Sequence, residues 1–303
     1  MSTVNDTLVG SVAPDRVHYA IGVLLDHRDF VDEQNYHRSR LARALAYLHG
    51  SGTVAGLRVG LQPPVEPTAE SLTGRDEQLM VSPGLAIDRL GRLIEVPRAA
   101  CIRLNRWYES QNADDLIEAV RPPPYTGVNV EGVPETGILV EDNPVDIIVV
   151  DVFLRFEVCE RGKTPAFATG PFDALDAVVP SRLRDAYELN LVIRAGPEPP
   201  LPVNNWPDLS GIADPAVRRR AVQDTVLGAW PKDDSNPSNP EPLAEYAPEQ
   251  DLTAVFLARV IIPVLGGGPP GSRPVRQEAP VVVDNYGRLF AYTPRALATI
   301  EGL

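Results

Sequence analysis

Apolar residues recur at helical spacing from Phe30 to Leu48, so the chain is predicted to form one long helix there. Asp26 or Asp29 opens this helix, and Asp29 is a suitable N-cap because its carboxylate can accept bonds from free backbone N–H groups. Gly50 is expected to end the helix, since glycine adopts C-cap conformations without steric cost. The predicted buried stripe consists of Phe30, His37, Leu41, Ala44, Leu45 and Leu48.

Beyond this helix, the pattern changes to the two-residue alternation of β-strands. Residues 53–61 are predicted to form one strand that contains a glycine bulge. Residues 78–88 are predicted to form two short strands kinked at Pro83-Gly84. A turn around Gly91 then leads into a returning strand at 93–96, which completes a β-hairpin.

The second half of the chain contains one strong strand, predicted at residues 146–157. Its even-numbered side chains from Ile148 to Phe156 are all apolar and its odd-numbered ones are mixed, so one face of the sheet is expected to be buried. A loop is predicted to follow, then a turn or short helix at 181–186. Strand 100–104 is predicted to extend the first sheet, and a weak helix capped by Asn105 is predicted at 105–120. Further predicted elements are strand 187–194, a helix from Asp214-Pro215 to about Trp230, strand 253–264, short strands at 281–284 and 287–292, and a helical turn or two at 294–300.

Proline accounts for 31 of the 303 residues, about twice the usual share of roughly 5%. Short strands between prolines, with one early helix, predict an α+β, mainly β fold in which the long N-terminal helix packs on antiparallel sheet and the loops are long and proline-rich. We divide the chain into an N-terminal arm at 1–16, a helix-plus-hairpin lobe at 17–104 and a β-rich lobe at 105–303. Exposed loops are expected near 121–144 and 231–250.

The charge balance excludes several classes of partner. The chain has 28 basic and 41 acidic residues, a net charge of −13. Nucleic-acid binding needs a basic face, and anionic membrane surfaces attract basic segments, so we expect neither nucleic acid nor direct membrane insertion. Two cysteines are too few for a disulfide framework.

Metal chemistry has one local candidate. All four histidines lie in the first fifty residues, and Glu33 and His37 are four residues apart on one helical face, where a divalent metal could bind. A metal site needs three or four converging ligands, and the spacing provides two. We therefore predict no catalytic, cofactor-binding or metal-binding residue, and keep a metal-dependent hydrolase using Glu33 and His37 as an alternative.

Three tryptophans are candidates for contacts with partners. Trp107, Trp206 and Trp230 lie at the ends of elements or in loops, where an exposed indole can anchor a protein interface. The same positions also suit side chains that cover the edge of the core. A carbohydrate- or ligand-binding β module is a further alternative, and it predicts a cleft with two or more aromatic faces near Trp107 or Trp206.

An ordered set of motifs spans about residues 17–104. It runs through Asp-Phe, Glu-Gln and Tyr-His pairs, a Leu-His-Gly helix end, a Pro-Gly-Leu-Ala-Ile-Asp strand and a Gly-Arg turn. This order resembles a family of poorly characterised bacterial proteins found among the components of phage-tail-like contractile injection systems. The motif residues that we assign a structural role are Asp29, Phe30, Glu33, Tyr36, His37, Gly50, Gly84 and Gly91.

The resemblance implies a structural, non-catalytic component that acts by protein–protein assembly at the baseplate or the cap of such a particle. Its partners would be other subunits of the particle, namely baseplate, sheath, tube or cap proteins, and it would be oligomeric in the assembly. The chain would be cytoplasmic, within or released with the multi-protein particle, and would need no cofactor. Tyr36 and His37 are expected to hydrogen-bond the backbone of the hairpin.

Overall fold

The computed structural model describes residue 6 and residues 15–67, 74–123, 138–140, 143–165, 178–196, 199–204, 206–230, 241–266 and 271–300. The helices are α1 (His27–His49), α2 (Leu104–Ser110), α3 (Ala113–Glu118), α4 (Pro215–Gly228) and α5 (Pro294–Ile300). The strands are β1 (Gly52–Gly56), β2 (Val59–Gln62), β3 (Gln78–Val81), β4 (Gly84–Ile87), β5 (Leu93–Val96), β6 (Ala100–Arg103), β7 (Val120–Arg121), β8 (Leu139–Val140), β9 (Asn143–Pro144), β10 (Asp146–Pro165), β11 (Val178–Ile193), β12 (Val255–Leu265), β13 (Val275–Arg276) and β14 (Val282–Asp284). These elements form the predicted α+β, mainly β fold with antiparallel sheets.

A six-stranded sheet is built around β10 and β11, which pair from Val150–Ile193 to Pro165–Val178. The other edge of β10 pairs with β12, which in turn pairs with β13 and β14. The loop predicted after residue 157 and the turn or short helix predicted at 181–186 are both wrong, because these residues continue the two strands. Most of the residues there are exposed on both faces, so they lack the apolar alternation by which a strand is predicted.

Two three-stranded sheets, β1-β4-β5 and β2-β3-β6, come from the first 103 residues. The β4–β5 hairpin and the break between β3 and β4 are as predicted. The single strand predicted at 53–61 is wrong, because positive φ angles at Gly56 and Leu57 send β1 and β2 into different sheets. The β6 strand pairs with β3 and does not extend the β4–β5 hairpin.

The main apolar core lies on the even-numbered face of β10. Side chains from Ile148 to Val158 on this face pack with β12 and with both small sheets, as the alternation predicts. Residues from both predicted lobes enter this one cluster, for example Ile94 and Leu257. The lobe boundary at residue 104 stays a prediction.

The odd-numbered face of β10 carries a buried charge cluster. The Asp151 carboxylate accepts hydrogen bonds from Nε and Nη2 of Arg259 at 2.9 and 3.0 Å, and Nε of Arg194 lies 3.2 Å from it. Arg259 also donates to the carbonyl groups of Pro199 and Pro200, at 2.8 and 3.2 Å. These bonds hold the segment at 199–200 over the mixed face of the sheet.

The start of α1 differs by three residues from the favoured prediction. Asp26 is the N-cap and accepts a hydrogen bond of 2.6 Å from the Arg28 N–H. Asp29 stands three residues later and its carboxylate accepts from the Asp26 N–H at 2.7 Å, so the two aspartates form a reciprocal capping box. Gly50 is the C-cap, as predicted.

The stripe that α1 was predicted to bury is largely exposed. Phe30, Leu41 and Leu48 all face solvent, and Ala42 is the buried residue of the helix. The error arises because helical periodicity marks an apolar stripe but does not say what covers it. The helix meets the β4–β5 hairpin through a narrow contact at Ala42.

Other predictions also need correction. Residues 105–120 form two short helices, and α3 is capped by Asn112, not Asn105. Of the predicted loop at 231–250, residues 241–250 contain the buried Glu245 and are not simply exposed, while 231–240 lie outside the described residues. Residues 124–137 and 141–142, and most of the arm at 1–16, also lie outside them. No helix in the described ranges is long and apolar enough to span a bilayer.

Candidate functional site

Glu33 and His37 are brought together, as their spacing predicts, but as a pair on the surface. Nε2 of His37 lies 3.8 Å from Oε1 of Glu33, and the His37 side chain is 69% exposed. The Tyr19 hydroxyl donates a hydrogen bond to the Glu33 carboxylate. Within the part of the chain that the structure describes, no three His, Cys, Asp or Glu side chains are grouped to hold a metal ion. The pair therefore supplies two ligands of the three or four that a protein metal site uses.

Tyr36 and His37 contact each other instead of the hairpin backbone. Their rings meet edge to face with centroids 5.5 Å apart, and the Arg40 guanidinium lies 5.2 Å from the centre of the Tyr36 ring. Among the described residues, neither side chain hydrogen-bonds the hairpin, so that prediction is wrong. Both rings lie on α1 away from the hairpin contact at Ala42.

An ion-pair network holds α1 against the β4–β5 hairpin. The buried Asp88 accepts a hydrogen bond of 2.6 Å from Nε of Arg92 at the hairpin turn. The Asp6 carboxylate bridges Arg92 and Arg38, at 3.3 and 3.1 Å. Because Arg38 belongs to α1, this chain of charges fixes the helix to the hairpin. Arg92 is sequestered there, and its guanidinium carbon lies 4.7 Å from the ring centre of Phe156.

A cleft of about 400 Å³ opens at the C-terminal end of α1. Its walls carry the aromatic side chains of Trp206, Tyr246, Phe290 and Tyr292, so the structure contains the aromatic cleft near Trp206 that a ligand-binding module would require. The Phe290 and Tyr292 rings are 5.9 Å apart. The lining also includes Leu48, His49 and Gly50 from the end of α1 and Arg89 from the hairpin turn.

The polar groups of this cleft are mostly engaged in internal bonds. The Tyr246 hydroxyl donates to the Ala254 carbonyl at 2.8 Å, and burial raises the pKa of Tyr246 to about 12. Arg89 donates to the Leu252 carbonyl at 3.1 Å and lies 5.7 Å from the centre of the Tyr246 ring. Glu245 is only 6% exposed. A cleft with bound polar groups and open aromatic faces is suited to binding an apolar or flat ligand.

The three tryptophans have different environments. Trp107 is partly buried against the main core, so it covers the core edge. Trp206 lines the cleft and is 53% exposed. Trp230 is exposed and stacks on Tyr47 of α1, with ring centroids 5.5 Å apart and the Arg43 guanidinium 5.5 Å from the indole centre. Trp206 is therefore the one of the three that lines the cleft.

The sequence prediction missed most of the cleft. Tyr246, Phe290 and Tyr292 are far from Trp206 in the chain, and no local spacing links them.

Neither a comparison with models of known protein families nor one with curated proteins finds a match to this chain.

Proposed function

We propose that this chain is a structural, non-catalytic subunit that works by protein–protein assembly, in a contractile phage-tail-like injection particle and at its baseplate or cap. The observation that carries the proposal is the exposed apolar surface of the N-terminal region. The particle itself comes from the resemblance of residues 17–104 to components of such systems.

Residues 17–25, which we call the lead-in segment, precede α1 without forming a strand. A hydrogen bond of 3.2 Å from the Val23 N–H to the Ala20 carbonyl closes a turn within it. Ile21 and Leu24 are 108% and 95% exposed. Large apolar side chains left this exposed typically mark an interaction site.

The long β10–β11 hairpin supports the same proposal. From the Glu160–Leu183 pair to the Pro165–Val178 pair, β10 and β11 form a two-stranded ribbon. Many of their side chains are exposed, including Arg161, Lys163 and Leu183. A two-stranded ribbon that extends past the core gains little from folding by itself, since isolated hairpins are marginally stable in water. Contact with neighbouring subunits would stabilise it.

The proposal predicts that the particle needs this chain. We expect particles purified from a strain that lacks the gene to be incomplete at one end in electron micrographs, or to be absent. Mass spectrometry should detect the chain in wild-type particles at a fixed ratio to the sheath protein. Intact particles of otherwise unaltered composition from the deletion strain would contradict the proposal.

A second candidate function, binding of a saccharide or similar ligand, is favoured by the aromatic cleft. Sugar rings present flat apolar faces that stack on exposed aromatic side chains, and the cleft presents Trp206 and Tyr292. We expect such a ligand to quench the fluorescence of Trp206 at saturable concentrations. Trp206→Phe should remove the signal, and Trp230→Phe, which changes an exposed indole outside the cleft, should retain it. The absence of a Trp206-dependent signal with cell-envelope polysaccharides would count against this function.

A further inference from the structure

We propose that the lead-in segment of one copy of this chain docks into the aromatic cleft of a second copy, so that subunits associate head to tail. The inference rests on the proposed assembly function and specifies one contact that would perform it. It joins the two apolar surfaces at opposite ends of α1.

The first of these surfaces is large enough for a specific contact. A fully exposed aromatic side chain has an accessible area of roughly 150–250 Å², and an aliphatic one has less. Scaled by their exposed fractions, the seven apolar residues of this surface together expose on the order of 800 Å². Each partner of a standard specific interface contributes about this area. The exposed large apolar side chains of the lead-in segment and the first five residues of α1 are Tyr19, Ile21, Val23, Leu24, Leu25, Phe30 and Val31.

The second surface is a complementary receptor. The volume of the cleft, about 400 Å³, lies within the range of roughly 300–1,000 Å³ for pockets that bind ligands. Its Trp206 and Tyr292 side chains are about half exposed, so they leave apolar area that an inserted side chain could cover. The Arg89 and Tyr246 polar groups are already bonded within the chain, which lowers the cost of excluding water.

The lead-in segment cannot reach the cleft of its own chain. The cleft adjoins His49 and Gly50, whereas the lead-in segment joins α1 at Asp26. The 23 residues of α1 separate the two points by about 34 Å, at 1.5 Å per residue. The five residues from Ile21 to Asp26 span at most about 18 Å when fully extended. The Tyr19 hydroxyl also bonds Glu33, which holds the segment beside the start of α1.

A contact between different surfaces of two copies has a defined consequence for assembly. Each copy donates one lead-in segment and accepts another, so the association continues until a ring closes or a filament grows. A symmetric dimer, in contrast, would make both contacts between the same two copies and would stop at two subunits.

Two variants test the contact with the full-length chain. The lead-in variant carries Ile21→Ser and Leu24→Ser, and the cleft variant carries Trp206→Ala and Tyr292→Ala. All four side chains are exposed, so both variants should retain the wild-type circular dichroism and melting temperature. Leu227→Ser, which changes an 81% exposed leucine on α4, is the matched control.

We expect light scattering coupled to size exclusion to show wild-type and control oligomers larger than a dimer as concentration rises. Each variant alone should dissociate at least about 100-fold more readily. An equimolar mixture of the two variants should form heterodimers and nothing larger, because only one intact lead-in segment and one intact cleft remain per pair. This restoration on mixing is specific to a contact between the lead-in segment and the cleft, and the wild-type oligomers larger than a dimer show that it is head to tail.

Three outcomes would overturn the inference: a monomeric wild-type protein at all concentrations, variants that associate like wild type, or a mixture that stays monomeric. Saturable quenching of Trp206 by a saccharide without any self-association would overturn it too, in favour of ligand binding. The assembly function is tested separately by the particles of the deletion strain. If the particles are defective and the mixture is monomeric, the assembly function is supported. The lead-in segment would then contact a different subunit of the particle.

Discussion

Replacement of Asp151 by asparagine is expected to lower the free energy of unfolding by about 3–5 kcal/mol, the range found when one partner of a buried ion pair is removed. Asp151 is fully buried and faces three arginines, Arg121, Arg194 and Arg259, all less than a tenth exposed. An amide keeps the shape of the carboxylate but not its charge. The variant would therefore leave three guanidinium groups in the sheet without their central counter-ion.

Other contacts compensate only part of the burial of these arginines. Arg121 donates from Nη2 to the Arg194 carbonyl at 2.7 Å, but its Nε and Nη1 have no hydrogen-bond partner among the described residues. Burial lowers the pKa of Arg121 to about 10, which still leaves it charged at neutral pH. Glu245 contributes a second negative charge that acts on Arg194. Removal of the Asp151 charge would thus leave an excess of buried positive charge.

Chemical denaturation monitored by circular dichroism measures this loss. Glu157→Gln is the matched control, because Glu157 lies on the same strand and the same face, where it pairs with the partly exposed Arg155 at 2.6 Å. Such pairs contribute about 0–1 kcal/mol, so the control should remain close to wild type. Equal losses in the two variants would show that the cluster does not depend on the Asp151 charge.

A double-mutant cycle measures the coupling energy between Asp151 and Arg259, which a general loss of stability does not produce. Arg259→Met alone should be destabilising, because it leaves the carboxylate with Arg194 as its remaining close partner. In the Asp151→Asn background the same change should cost less, since it removes one of the uncompensated charges. Additive losses would contradict direct coupling between Asp151 and Arg259.

The fold could be predicted where the apolar pattern has a clear two-residue period and the apolar face can only be buried. The even face of β10 is apolar from Ile148 to Val158 and is buried. The odd face could be recognised as mixed, but its partners could not, because Asp151 and Arg259 are 108 positions apart in the chain. A pairing of that kind depends on strand register, which local spacing does not encode.

The candidate site was only partly predictable for two different reasons. The cleft is formed by segments that are distant in the sequence and meet in the fold, so Trp206 could be singled out as an exposed aromatic but Tyr246 and Tyr292 could not. The stripe on α1 has the right period for burial, and Leu41 and Leu48 are nevertheless exposed. Periodicity is the same whether a stripe is covered by the chain's own sheet or by a second subunit.

The second large effect is expected from Gly91→Ala, which should lower the free energy of unfolding by roughly 2–4 kcal/mol through backbone strain and overpacking. Gly91 lies in the β4–β5 turn with a φ of 83°, a conformation that alanine adopts at a cost. A Cβ atom there would lie 1.7 Å from the carbonyl oxygen of Ala42 on α1. The helix backbone must therefore move away from the hairpin.

Gly196→Ala separates the two causes. Gly196 has nearly the same φ, 85°, but a Cβ atom added there meets nothing within 4 Å. It should show the conformational cost alone, about 1–2 kcal/mol. The difference between the variants then reports the contact between Gly91 and α1.

Hydrogen exchange locates that difference in the structure. We expect the amides of α1 around Ala42 to exchange faster in Gly91→Ala than in Gly196→Ala, because Ala42 is the buried residue of α1 and packs directly on Gly91. The Asp6 bridge to Arg38 and the stack of Tyr47 on Trp230 should limit the displacement. If the α1 amides exchanged at the same rate in both variants, the Gly91 contact would not be needed to hold the helix. The ion pairs would then be sufficient. The orientation of α1 sets where the lead-in segment points, so the Gly91 contact also bears on the proposed assembly.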